Sequence, residues 1–139
     1  MSLHTTPSSP RAVVAPARIA AALDELWSPR VIAEVDDAYV KVAKVQGELG
    51  WHAHADEDEL FLVLQGRLRI ELAPEGTGHA VELGAGELFV VPKGVRHHPV
   101  AEEECLVMLV EHKSTLHTGD TVEARTRSLA EQLRPLGQG

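Results

Sequence analysis

His52-Ala53-His54-Ala55-Asp56-Glu57-Asp58-Glu59-Leu60-Phe61-Leu62-Val63-Leu64-Gln65-Gly66 is the stretch on which the fold turns. Successive side chains of a β-strand point to opposite faces, so His52 and His54 share a face if the segment is extended. Residues 60–64 form an unbroken apolar run of strand length, and Gln65-Gly66 turns the chain after it. Glu59 stands where the loop meets that strand and points back toward the imidazoles. Taken singly, the acidic run 56–59 reads as a solvated loop, and any one of the eight histidines reads as a surface residue. Their conjunction with His97, which follows the tight turn Pro92-Lys93-Gly94, reads differently. Three imidazoles and a carboxylate are the donor set of a divalent transition metal.

Working outward, the period-two pattern persists. Strands are expected at 31–35, 39–45, 60–64, 67–72, 81–83, 87–91 and 104–112, within a region from 30 to 115 expected to hold roughly eight or more short strands. In 67–72 the alternation is clean, with Leu68, Ile70 and Leu72 inward and Arg69 and Glu71 outward. Helical spacing is confined to the ends. Ile19, Leu23, Leu26 and Trp27 predict a helix over 17–27 behind Pro16, closed by Ser28-Pro29. A weaker helix is expected over 122–133, stopped by Pro135 and Gly137. Short strands at regular turn intervals predict an all-β sandwich or barrel. The expected organisation is a flexible arm at 1–15, one domain at 16–125 and a tail with helical character at 126–139.

The chain has 139 residues, enough for one domain with a core of its own. Hydrophobic residues make up 44% and aromatics only 4%, so the core must be built from Val, Leu, Ile and Ala. A net charge of −8 argues against nucleic acid or an anionic membrane surface as a partner. No apolar run approaches the roughly 20 residues that span a bilayer. The N-terminus lacks a basic start followed by an apolar block. The single cysteine, Cys105, lies in an apolar run and reads as a buried structural residue. A cytoplasmic location is the expectation.

The motif spacing resembles that of the cupin superfamily. His52-Ala53-His54, four residues, Glu59, six residues and Gly66 are similar to its first motif. Gly86, five residues, Pro92-Lys93-Gly94, two residues and His97 are similar to its second. Two positions depart: Gln46 stands at the first motif's leading Gly, and Ala101 at the second motif's trailing Asn. Neither is a metal ligand in the family pattern, though the missing Asn weakens any transfer of a specific activity. Trp27-Ser28-Pro29-Arg30-Val31-Ile32-Ala33-Glu34 and Thr118-Gly119-Asp120 look like the small single-domain members labelled mannose-6-phosphate isomerase-like. The resemblance implies a double-stranded β-helix, or jelly-roll barrel, with short flanking helices. It implies a metal held by His52, His54, Glu59 and His97, and a homodimer paired through sheet edges.

Such a donor set leaves up to two positions open on an octahedral Fe, Mn, Ni, Zn, Co or Cu ion. A small metal-dependent enzyme follows as the first expectation: an oxygenase, isomerase or lyase acting on a small oxygenated molecule. The second is a non-catalytic binding or sensing module with a structural metal. Around the site, His98 should face away from His97. Tyr39, Lys41 and Lys44 could line the barrel mouth, and Trp51 could wall the pocket. Lys93 and Arg96, with Lys41 and Lys44, keep a phosphate-bearing substrate open. Phe61 and Phe89 read as core, and His112 and His117 as surface.

Overall fold

The structure, a computed structural model, describes residues 13–115 and 127–135. It is a jelly-roll of antiparallel strands with one short helix near each end. Seven strands are present among the described residues: β1 (Arg30–Val35), β2 (Ala38–Glu48), β3 (Glu59–Gln65), β4 (Arg67–Leu72), β5 (Ala80–Gly84), β6 (Leu88–Val91) and β7 (His97–His112). They run in the order β1-β2-β7-β3-β6, while β4 pairs with both β7 and β5.

The sequence expectation of eight or more strands is corrected by β7, which runs 16 residues and begins well before Glu104. Its first part pairs His97 to Val100 with β4, and its second part runs between β2 and β3. Between Ala101 and Cys105 the register against β2 shifts, and the exposed Glu102, Glu103 and Glu104 bulge to solvent. That acidic run masks the strand in the sequence, because three polar residues in succession break the period-two pattern.

The predicted helix over 17–27 is also shortened. Helix α1 is Pro16–Ala21, started by proline and carried by alanines. It stops because Leu23 tucks into an apolar cluster with Ile32, Val42 and Leu106, and Leu26 then forms a parallel bridge to Lys44. Lys44 Nζ donates to the Ala21 carbonyl at 3.0 Å, satisfying one of the open helix-end acceptors. Helix α2 is Leu129–Leu133, held by a reciprocal capping box between Ser128 and Glu131. The rest of the helix expected over 122–133, the arm at 1–12 and His117 lie outside the described residues.

Inside the barrel, alternate residues of β2, β3, β4 and β7 form one core. Val63 and Ile70 are wholly excluded from water. Each such side chain contributes about 1.5–3 kcal/mol by burial. At one end of the same inward rows the apolar residues give way to polar ones. Glu59 continues the row of Phe61 and Val63, Glu111 that of Val107 and Leu109, and Lys41 that of Ala43 and Val45.

Candidate metal centre

His52 and His54 lie on the connection from β2 to β3, and His97 opens β7. The main chains of His52 and His97 face one another as an antiparallel bridge. The turn before His97 is fastened from both sides. Gly94 N–H donates to the His54 carbonyl at 2.7 Å, and Lys93 N–H donates to Asp58 Oδ1 at 2.9 Å. Gly94 has φ +81°, a backbone that a side chain would strain. Asp58 therefore clamps the turn while Glu59, its neighbour, points inward.

The four side chains converge. One ligand atom from each of His52, His54, Glu59 and His97 can be chosen so that all lie within 4.8 Å of one another. Every one is buried. Glu59 Oε1 is 2.9 Å from His54 Nε2 and 3.5 Å from His97 Nε2.

The hydrogen-bond roles fit a cation at the centre. His52 Nδ1 donates to the Gly50 carbonyl at 2.7 Å, and His97 Nδ1 donates to the Val95 carbonyl at 2.9 Å. A carbonyl only accepts, so each ring carries its proton on Nδ1 and turns the lone pair of Nε2 inward. His97 Nε2 is buried without a hydrogen-bond partner. An inward lone pair in that state suits a Lewis acid, and these four groups could hold one divalent ion.

Electrostatics point the same way. Burial lowers the His52 pKa to about 4, with neighbouring His97 acting in the same sense, so the ring is neutral and able to ligate. Burial alone would raise the Glu59 carboxyl, but the polar groups around it, first the His54 hydrogen bond and then neighbouring His97, outweigh it and hold the group well below the usual range. Glu111 is pushed well above that range, first by burial and then by the charge of Glu59, with Lys41 opposing.

Beside the cluster lies a cavity. Its volume is about 40 Å³. That holds a few waters. Its walls include Trp27, Val45, Leu49, Phe61, Val107 and Leu109, and its only ionisable lining residues are His52 and Glu59.

A family model described as a cupin domain matches residues 38–112, more than half of the chain and every described strand except β1. The chain belongs to the cupin family. An uncharacterised protein of Bacillus subtilis, YdbB, is 39% identical to this cupin over 82 residues, spanning 59% of this chain and 70% of its own. A solved cupin-2 domain protein from Shewanella frigidimarina is 44% identical, with a TM-score of 0.67 over 73% of this chain and 95% of its own. Protein NMB1881 from Neisseria meningitidis is 28% identical, with a TM-score of 0.64 over 73% of this chain and all of its own.

The other sequence candidates of this cupin separate cleanly. His98 faces away from the centre, between Glu71 at 2.8 Å and Glu48 at 2.5 Å, with Trp51 stacked on it. Trp51 is thus a partner of His98 and not a wall of the cavity. Lys44 caps α1, and His112 bonds Ser114 at the surface. Arg96 lies 3.9 Å from Glu75, and Lys93 is exposed. None of these cations lines the cavity, and Phe89 packs against the core. Phe61 is core and also cavity wall, with its ring edge-on to His97. Tyr39 is buried, with Lys113 Nζ 5.2 Å from its ring centre. Lys41 is buried too, but it pairs with Glu111 and Gln132.

Sequence reading passed over Trp27, Glu111 and Gln132. A signal existed for Glu111, since a charged residue in phase with Val107 and Leu109 must point inward. Trp27, with φ +57° and its Nε1 donating to the Gln46 carbonyl at 2.8 Å, carried no such signal.

Proposed function

We propose that this cupin is a metalloenzyme of the oxygenase type, acting on a small, mostly apolar molecule that carries an oxygen donor. The cavity carries the reading. Isomerases and lyases that shuttle protons need an acid or base beside the substrate. Here the ionisable lining consists of His52 and Glu59, and both belong to the ligand set. Among the described residues that line the cavity there is no cation to hold a sugar phosphate. When bound, a redox-active ion with open positions supplies activation of dioxygen and of the substrate's donor atom.

The chain's own residues do the rest. The Gly50 and Val95 carbonyls fix the planes of His52 and His97. Trp27, Phe61 and Leu109 exclude water from the substrate face. Trp27 is the wall that sets the cavity's reach, because its indole is tied to β2 through Gln46 and cannot swing freely.

Two supports bear on assembly. Strand β6 ends one side of the sheet, and Leu88 and Val90 are exposed on it at 56% and 40%. An apolar edge of that kind needs a cover, and a homodimer supplies one; light scattering checks it. No helix among the described residues is long and apolar enough to cross a membrane.

The activity test is elemental analysis of protein purified from its host, then oxygen-electrode assays of the Fe²⁺-loaded protein with simple phenols, catechols and β-diketones. Oxygen uptake that requires the metal and vanishes in His97→Ala supports the reading. Probe binding without oxygen uptake turns it into the second expectation, a binding module. Protein that takes up no metal overturns both.

A further inference from the structure

Glu59 is not alone at its end of the barrel. In the pairing of β3 with β7, Glu59 stands directly opposite Glu111, and both are buried on the inward rows of their strands. Glu111 is buried, and Lys41 Nζ lies 2.7 Å from its Oε1. That contact is close but poorly aligned for a hydrogen bond. Lys41, only 1% exposed, donates to Gln132 Oε1 at 2.5 Å. Gln132 is fixed in turn: its Nε2 donates to the Arg127 carbonyl at 2.9 Å, which leaves the amide oxygen for Lys41.

The result is a chain of buried polar groups, Glu59–Glu111–Lys41–Gln132, running from the metal cluster to α2. Burying a charge costs several kcal/mol unless partners compensate. An apolar trio at 41, 111 and 132 would satisfy packing alone. The polar trio instead gives Glu59 a fixed neighbour on the side away from the histidines.

We propose that Glu111 is a positioning residue for Glu59, braced by Lys41 and by Gln132 from α2. It holds the Glu59 carboxyl so that one oxygen faces His54 and His97. Lys41 and Gln132 act one and two links further out, so their removal acts through Glu111. This rests on the reading of Glu59 as a metal ligand.

The test uses Co²⁺ alone as the probe, titrated into metal-free full-length protein and followed by its visible absorption. Glu111→Leu is expected to lower Co²⁺ affinity about 10- to 100-fold, the usual cost of losing a group that orients a ligand. It should also shift the absorption bands, which a merely structural role would not do in a folded variant. Glu111→Gln keeps the size and a polar end opposite Glu59 and is expected to restore affinity to within a few-fold. Gln132→Leu, at a helix on the rim, should fold and lose a smaller factor with a band shift in the same direction. If Glu111→Leu does not fold, Gln132→Leu and Lys41→Met decide the matter by the same readouts. A folded Glu111→Leu with unchanged affinity and bands overturns the positioning role while leaving the metal site standing. Wild-type protein that fails to bind Co²⁺, or binds it equally well as His97→Ala, removes the metal-site reading itself.

Discussion

His52 and His97 exchange both main-chain hydrogen bonds of an antiparallel bridge, 3.0 Å and 2.8 Å long, and their rings lie 4.3 Å apart. The distance between two candidate ligands is thus set by backbone pairing and not by side-chain packing alone. A site fixed in this way is assembled before any ion arrives.

Metal binding should therefore stabilise the fold without reorganising it. One divalent ion per chain is expected by calorimetric titration. Free metal at a hundred times its dissociation constant should add about 2.7 kcal/mol to stability, read as a rise in the thermal midpoint. In His97→Ala both the binding heat and the rise should disappear. A rise that survives in His97→Ala would place the ion elsewhere.

The neutral state of His52 makes metal-free stability depend on pH. In the unfolded chain the imidazole takes a proton near pH 6.5, but in the fold burial delays this to about pH 4. As pH falls from 6.5 toward 4 the unfolded state binds the extra proton, so stability declines, by up to about 3 kcal/mol at the low end. Other groups titrate nearby, Glu59 and Glu111 among them. The proper readout is accordingly the difference in urea unfolding between the protein and His52→Gln. That difference should change across the window. A difference that stays constant from pH 7 to pH 4 would mean that His52 protonates in the fold as it does in water.

Cys105 is fully buried, and burial pushes its thiol up to about 11. At pH 8 only roughly one molecule in a thousand carries the reactive thiolate. Ellman's reagent should release nothing from the native protein over minutes and one equivalent per chain after denaturation in guanidinium. Rapid full reaction of native protein would show that β7 opens at Cys105.

Two glycines separate backbone strain from steric conflict. Gly66 has φ +92°, and a Cβ there would meet the Glu104 carbonyl at 2.9 Å. Gly47 has φ +83° with open space around it. Gly47→Ala should cost about 1–2 kcal/mol, the strain of a left-handed residue. Gly66→Ala should cost more, since backbone must also shift. Urea midpoints that fall equally would mean that the turn at Gly66 relaxes freely.

The clustering of the four candidate ligands was legible because its signal is local. His52, His54 and Glu59 fall within eight residues, and His97 follows a turn with its own signature. The inward rows of β3 and β4 were legible for the same reason, through period-two spacing. What escaped depended on partners far away in sequence. Lys41 read as a candidate for the barrel mouth, because nothing near it announces Glu111 or Gln132. Trp27 read as the end of a helix, because its left-handed backbone is imposed by the bridge of Leu26 to Lys44. The early start of β7 was hidden by its acidic bulge, a feature whose cause is the register with β2.

Strand β7 is hydrogen-bonded to β2, β3 and β4 along different parts of its length. One residue inserted between Leu106 and Glu111 would turn Glu111 out of the barrel and bring Val110 in. The same insertion in the solvent-facing connection from β4 to β5 would move no ladder. Gains and losses of length should thus be absorbed at that rim, while the stretch leading to Glu111 keeps its count. The reach of this protein can drift over generations in its loops, but not in the strand that carries both His97 and Glu111.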